Sequence, residues 1–199
     1  MQIESGRKLY SLKESYHITY LAFYSMPDLK NARKQGHISH QFFERIMLAV
    51  TEVNGCLICS YAHTKMALEA GMSPVEIQNM LSGEMSNVPA EELTAIMFAQ
   101  HYAETRGNPS FIAWEQLVEV YGKLKALGIL GSIRIIMLGN AYGIPWSSFF
   151  NRFKGKQDKR CRLSYELSMI LSSILFVPLA LINVLLKRVI SKKRSDAYS

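Results

Sequence analysis

Apolar residues recur along this chain at intervals of three and four, and no stretch rich in Val, Ile and Thr sustains the period-two alternation of a half-buried strand. The pattern predicts helices over residues 9–25, stopped by Pro27, and 39–53, stopped by Asn54-Gly55. It continues with 56–70, ended by Gly71, and with 74–81, where Ser73 as N-cap and Glu76 three residues on form a capping box. Helices over 90–105, 110–126, 129–142 and 146–152 follow, with the breaks placed at Gly107-Asn108-Pro109, Gly128, Gly143 and Pro145. The expectation is an all-α domain of seven or eight helices.

The last apolar stretch differs in character. Residues 167–186, LSMILSSILFVPLALINVLL, run for 20 positions without a charge, and such a helix is about 30 Å long, the hydrocarbon thickness of a bilayer. Pro178 falls mid-segment, where a membrane helix tolerates it better than a soluble one. Two readings stand. The segment is a membrane anchor that leaves the domain in the cytoplasm, or it is a helix buried in the core or in an oligomer interface. The organisation expected is a helical domain over 1–155, a basic linker over 156–166, the apolar helix over 167–190 and a basic tail over 191–199.

Charge sharpens that division. The chain of 199 residues carries a net +7, yet residues 1–150 sum to −1, while 152–162 contribute +5 and 187–199 contribute +4. The cations flank the apolar segment, where they suit lipid headgroups, and the body is close to neutral. Nucleic-acid binding by the domain is therefore not expected, since a phosphate-binding face needs cations clustered on the fold itself. Three cysteines do not make a disulfide framework, and the N-terminal stretch has no apolar run after a basic start, so a reducing, cytoplasmic setting is expected for the domain. Cys161, in DKRCRLSY, is read as a solvent-exposed free thiol.

The candidate chemistry lies in FFERIMLAVTEVNGCLICSYAHTKMALEAGMS. Gly55 closes one helix and the next is expected to begin at Cys56, so Cys56 and Cys59 sit at a helix start, where unpaired N–H groups and the dipole favour thiolate. Positions 56, 59 and 63 share one helical stripe, which brings His63 beside the thiols. C-x-x-C spacing lets two such thiols close a disulfide with little backbone movement, and the imidazole can move their protons near neutral pH. A carboxylate would orient that imidazole. If the two helices fold back on each other, Glu44 meets His63, whereas Glu52 is read as a solvated charge at a helix end.

The pattern Glu44-x11-Cys56-x2-Cys59-x3-His63, followed by KMALEAGMSPVEIQNML and later by MLGNAYGIPWSSFFNRFKGK, resembles the AhpD-like members of the carboxymuconolactone decarboxylase family over roughly residues 39–155. The resemblance implies an AhpD-like helical domain with the C-terminal apolar helix as an addition, assembled as a homo-oligomer, trimer or hexamer. It also implies a thiol-dependent peroxidase or disulfide oxidoreductase that acts on a hydroperoxide or disulfide and is recharged by an external dithiol, with no organic cofactor. Carried over, Cys59 is the peroxidatic thiol, Cys56 the resolving one, and Glu44 and His63 the proton relay. Some members carry a second His just before the second Cys; here that position is Ile58.

Two other readings of the same residues remain. Cys56, Cys59, His63 and Glu44 could ligate zinc, although structural zinc usually draws its ligands from two separate segments, or the cysteines could be inert core residues. A membrane-tethered interaction protein with a degenerate site is the non-enzymatic alternative. His17 and His101 are read as core or boundary residues, His37 and His40 as loop and first helical turn, and Trp114, Trp146 and Phe149 as packing. No glycine-rich loop follows a strand, so no nucleotide cofactor is implied.

Overall fold

A computed structural model describes the backbone of residues 7–196 and side chains through residue 190. Seven α-helices and no strands are present among these residues: α1 (Leu12–Lys34), α2 (His40–Asn54), α3 (Leu57–Glu69), α4 (Pro74–Leu81), α5 (Ala90–Glu104), α6 (Phe111–Arg152) and α7 (Leu163–Asp196). The all-α expectation holds. The basic tail expected over 191–199 falls partly within α7 and, beyond residue 196, outside the described residues.

The helix starts follow from their caps. Ser11 accepts from the backbone N–H of Glu14, whose carboxylate accepts from the Ser11 N–H in return, a complete capping box that opens α1. The Ser39 and Ser73 side chains cap α2 and α4 by accepting from the N–H groups of Phe42 and Glu76, with Pro74 at the first position of α4. At α4 the predicted box is only half formed. The Glu76 carboxylate accepts from Arg45 Nε at 2.6 Å instead of closing on its cap, because Arg45 is buried between α4 and α5 and needs Glu76 and Glu92 as partners.

Three expected breaks do not occur, and the reason is tertiary packing. Pro27 lies inside α1, which runs on to Lys34 because Leu29 and Ala32 continue the face buried against α6. Gly128 and Gly143 lie within α6, as does Pro145, and the actual interruption is at Gly122, whose φ of 72° and ψ of 156° only glycine adopts readily. Gly128 is there for proximity: a Cβ on it would stand 2.3 Å from Ala32 Cβ, so α1 and α6 cross almost backbone to backbone. The core forms around this crossing and around α2, whose residues Ile46, Met47, Leu48, Ala49 and Val50 are all buried.

Two helices are long and apolar enough to cross a membrane by length and composition. The most apolar window of α6 is 67% buried and belongs to the core, whereas that of α7 is only 17% buried. The start of α7 is fixed by a buried charge: Glu166, fully buried, accepts from Arg152 Nε and Nη2 at 2.8 and 2.7 Å and from Ser148 Oγ at 2.6 Å. The residues before it fold onto the domain, and Arg160 reaches the end of α2.

Cys161 is a correction. It is buried beside this ion pair, with no disulfide partner, and burial in the first place, with the nearby Asp158 charge second, pushes its thiol up to about 11. Native protein at neutral pH should therefore leave Cys161 unalkylated by iodoacetamide over a period in which denatured protein reacts fully, as read by mass mapping. Modification at equal rates would contradict this placement.

Candidate functional site

The site starts from a chain reversal. Gly55, with φ 65° and ψ 46°, is the left-handed C-cap of α2, and its N–H donates to the Thr51 carbonyl at 2.8 Å. Three side chains from outside the α2–α3 hairpin hold the turn. Tyr10 Oη donates to Asn54 Oδ1 at 2.6 Å, and Arg160 donates to the carbonyls of Asn54 and Gly55 at 3.2 and 2.9 Å while pairing with Asp158. Arg7 donates to Glu52 at 2.6 Å. Glu52 is accordingly a paired, half-buried group, and the solvated charge expected there is not observed.

Cys56 follows as the N-cap of α3, one residue ahead of the helix expected to begin with it. Its backbone is extended, at φ −90° and ψ 99°, and the residue is fully buried. Cys59 occupies the third helical position and is 8% exposed. The two are joined in a disulfide with a Cα–Cα distance of 5.3 Å. Cap and third position are the places where unpaired helix N–H groups converge, so sulfur anions released by reduction would be stabilised there.

The reversal brings α3 back along α2, and the predicted pair forms. His63 Nδ1 lies 2.8 Å from Glu44 Oε2, with Glu44 only 1% exposed. A carboxylate can only accept, so in the neutral ring Nδ1 carries the proton and Nε2 is left as the acceptor. A second imidazole, unassigned from the sequence, completes the group: His40 Nε2 stands 3.6 Å from Glu44 Oε1, an ion-pair distance longer than a hydrogen bond, and His40 is largely exposed. Its position four residues before Glu44 on one helix was the available signal. His37 and His17 are not placed in this group, and His101 accepts from the Ser110 N–H at 3.2 Å.

Across the sulfurs lies α6. A Cβ on Gly143 would stand 2.9 Å from Cys59 Sγ and 3.0 Å from Cys56 Sγ, so only glycine lets α6 close over the pair. On the same face of α6, Asn140 is fully buried and accepts from Thr51 Oγ1 at 3.2 Å, while its Nδ2 and the Ser60 hydroxyl have no partner among the described residues. Sequence reasoning placed a helix break at Gly143. Its helical setting shows that the glycine serves contact with sulfur. Ile58 is half exposed beside this contact. Among the described residues no group of three or more His, Cys, Asp or Glu is arranged to hold a metal ion, so the zinc reading finds no support in the geometry.

One hairpin thus holds the Cys pair, the buried carboxylate and the imidazole. Residues 23–100 match the carboxymuconolactone decarboxylase family. No curated protein and no solved structure matches the chain. The carboxymuconolactone decarboxylase match runs from the middle of α1 through most of α5 and takes in Glu44, Cys56, Cys59 and His63, while Gly143, Arg160 and α7 lie beyond it.

Gly143→Ala should cost about 1–3 kcal/mol of stability with the disulfide intact, as expected of overpacking at a site with no room for a methyl group. Denaturant unfolding measures it; an unchanged midpoint would mean that α6 does not press on the sulfurs as described.

Proposed function

We propose that this protein is a thiol-dependent oxidoreductase that reduces hydroperoxides, with Cys56 and Cys59 cycling between dithiol and disulfide. One observation carries the reading: the pair is disulfide-linked at the start of α3, in the hairpin where His63 is held by the buried Glu44. The Cys59 thiolate attacks the outer peroxide oxygen, the O–O bond breaks and the alkoxide leaves as the alcohol after taking a proton. Cys59 becomes a sulfenic acid. The Cys56 thiolate then attacks that sulfur, the S–S bond forms and the hydroxyl departs as water with one further proton. An external dithiol restores both thiols through a mixed disulfide, giving up the two electrons that the peroxide consumed.

Glu44 is the positioning group for His63, and the imidazole takes the thiol proton and returns it to the leaving oxygen. Burial of the carboxylate keeps the ring in one tautomer, and His40 offers the same carboxylate a route to solvent. Disulfide exchange with another protein uses the same atoms and needs no change in the site. The helical domain carries this chemistry, and the exposed apolar α7, membrane-span-like in length and composition, attaches it to a membrane with the domain on the cytoplasmic side.

Reduced protein treated with stoichiometric peroxide should yield a Cys56–Cys59 disulfide by mass mapping, with Cys161 unmodified. Cys56→Ser should accumulate sulfenate on residue 59 and Cys59→Ser should form none; the opposite pattern would exchange the roles of the two thiols. Glu44→Gln should slow sulfenate formation about a hundredfold, in the range of a lost acid–base group. Thiols that stay reduced under peroxide would reject the peroxidase reading.

A further inference from the structure

The contacts of α7 fix its direction relative to the domain. Tyr165 Oη donates to the Tyr10 carbonyl at 3.0 Å, Ser15 packs on Met169 through a 3.6 Å contact to sulfur, and Tyr16 meets Phe176 edge-on at 5.3 Å. Further along, Arg188 Nη2 donates to the Tyr24 carbonyl at 3.0 Å and Lys187 lies over the rings of Tyr20 and Tyr24 at 5.8 and 5.1 Å. Residue numbers rise together in these pairs, so α7 lies lengthwise and parallel on α1, fastened at both ends.

The face turned away is apolar over nearly half the helix. Leu171, Ile174, Leu175, Leu179, Leu181 and Ile182 are each between 41 and 67% exposed, and at about 100° per residue they sit within a continuous arc of about 160°. A coiled-coil partner needs only the narrower stripe of positions spaced three and four apart, so the breadth favours acyl chains over a second helix. Charge agrees with an anionic surface. Exposed Lys154, Lys156, Lys159 and Arg162 lie before the helix, and Lys187 and Arg188 end its apolar run.

A helix docked in this way cannot cross a bilayer by itself. Any depth reached by α7 is shared by α1 and by the α6 side chains bonded to it. Crossing would carry the Glu14–Arg106 ion pair and Arg134, which donates to Ser25 Oγ at 2.6 Å, towards hydrocarbon.

We propose that α7 lies in the plane of an anionic bilayer, its apolar arc sunk into one leaflet and α1 above it, so that the domain rides on the surface as a monotopic protein. This rests on the membrane attachment proposed above and specifies its geometry.

The test uses the full chain with vesicles of phosphatidylcholine and phosphatidylglycerol. Flotation should recover the protein with the vesicles, and Leu171→Asp with Ile182→Asp, both on exposed positions, should lower partition by at least about tenfold while thermal unfolding is unchanged. Leu167→Trp, Leu175→Trp and Leu186→Trp, each read above the shared Trp114 and Trp146 signal, should report one shallow depth in quenching by lipids brominated along the acyl chain. A profile deepest at Leu175→Trp would establish a crossing helix and overturn the in-plane geometry while keeping the attachment. Failure to float, or self-association through this face in the absence of lipid, would overturn both.

Discussion

The left-handed turn at Gly55 is the constraint from which the rest of the site follows. It reverses the chain within one residue, and that reversal lays α3 along α2, opens α3 at Cys56 and carries His63 back to Glu44. The turn is held by contacts from far along the sequence, Arg7 and Tyr10 on one side and Arg160 on the other. Such a clamp opposes fraying at the helix start that carries the disulfide. The basic stretch between α6 and α7 thereby takes part in the site, through a guanidinium that satisfies the last carbonyls of α2.

The second organising contact is the approach of α6. Small residues at 128, 131 and 143 let one long helix touch α1 on one side and the sulfurs on the other. Glycine was needed in each case for space and not for backbone conformation, since all three are helical. Through this helix the redox pair and the α1–α7 surface are linked: Gly143 meets the sulfurs, while its neighbour Tyr142 hydrogen-bonds Thr19 on α1 at 3.2 Å.

Much of this was legible in the sequence, and what was hidden has a common cause. Helical class, the cap Ser73, the Asn54-Gly55 stop and the Glu44–His63 pairing were readable because each depends on local spacing. The breaks assigned to Pro27, Gly128 and Gly143 failed because burial against another helix overrides local propensity, and sequence alone does not distinguish a glycine that breaks a helix from one that lets two helices meet. Cys161 and Glu52 were read as exposed because their partners, Asp158 and the Glu166 pair for one and Arg7 for the other, are brought in by tertiary folding. His40 was missed for a different reason. Its spacing to Glu44 was visible, but its position at the first residue of a helix disguised a side chain that leans onto the buried carboxylate.

The account makes the Cys56–Cys59 pair a working couple within a fixed scaffold, and an equilibrium redox titration tests that most directly. Folded protein is poised against dithiol–disulfide buffers, quenched in acid, and the state of each cysteine is read by mass mapping. The account predicts one two-electron transition in which Cys56 and Cys59 pass together from disulfide to dithiol, while Cys161 stays a thiol throughout and the helical circular dichroism of the poised protein does not change. A pair that resists excess dithiol while the protein remains folded, or that is reduced only as the helices melt, would make the bond a structural staple and contradict the account.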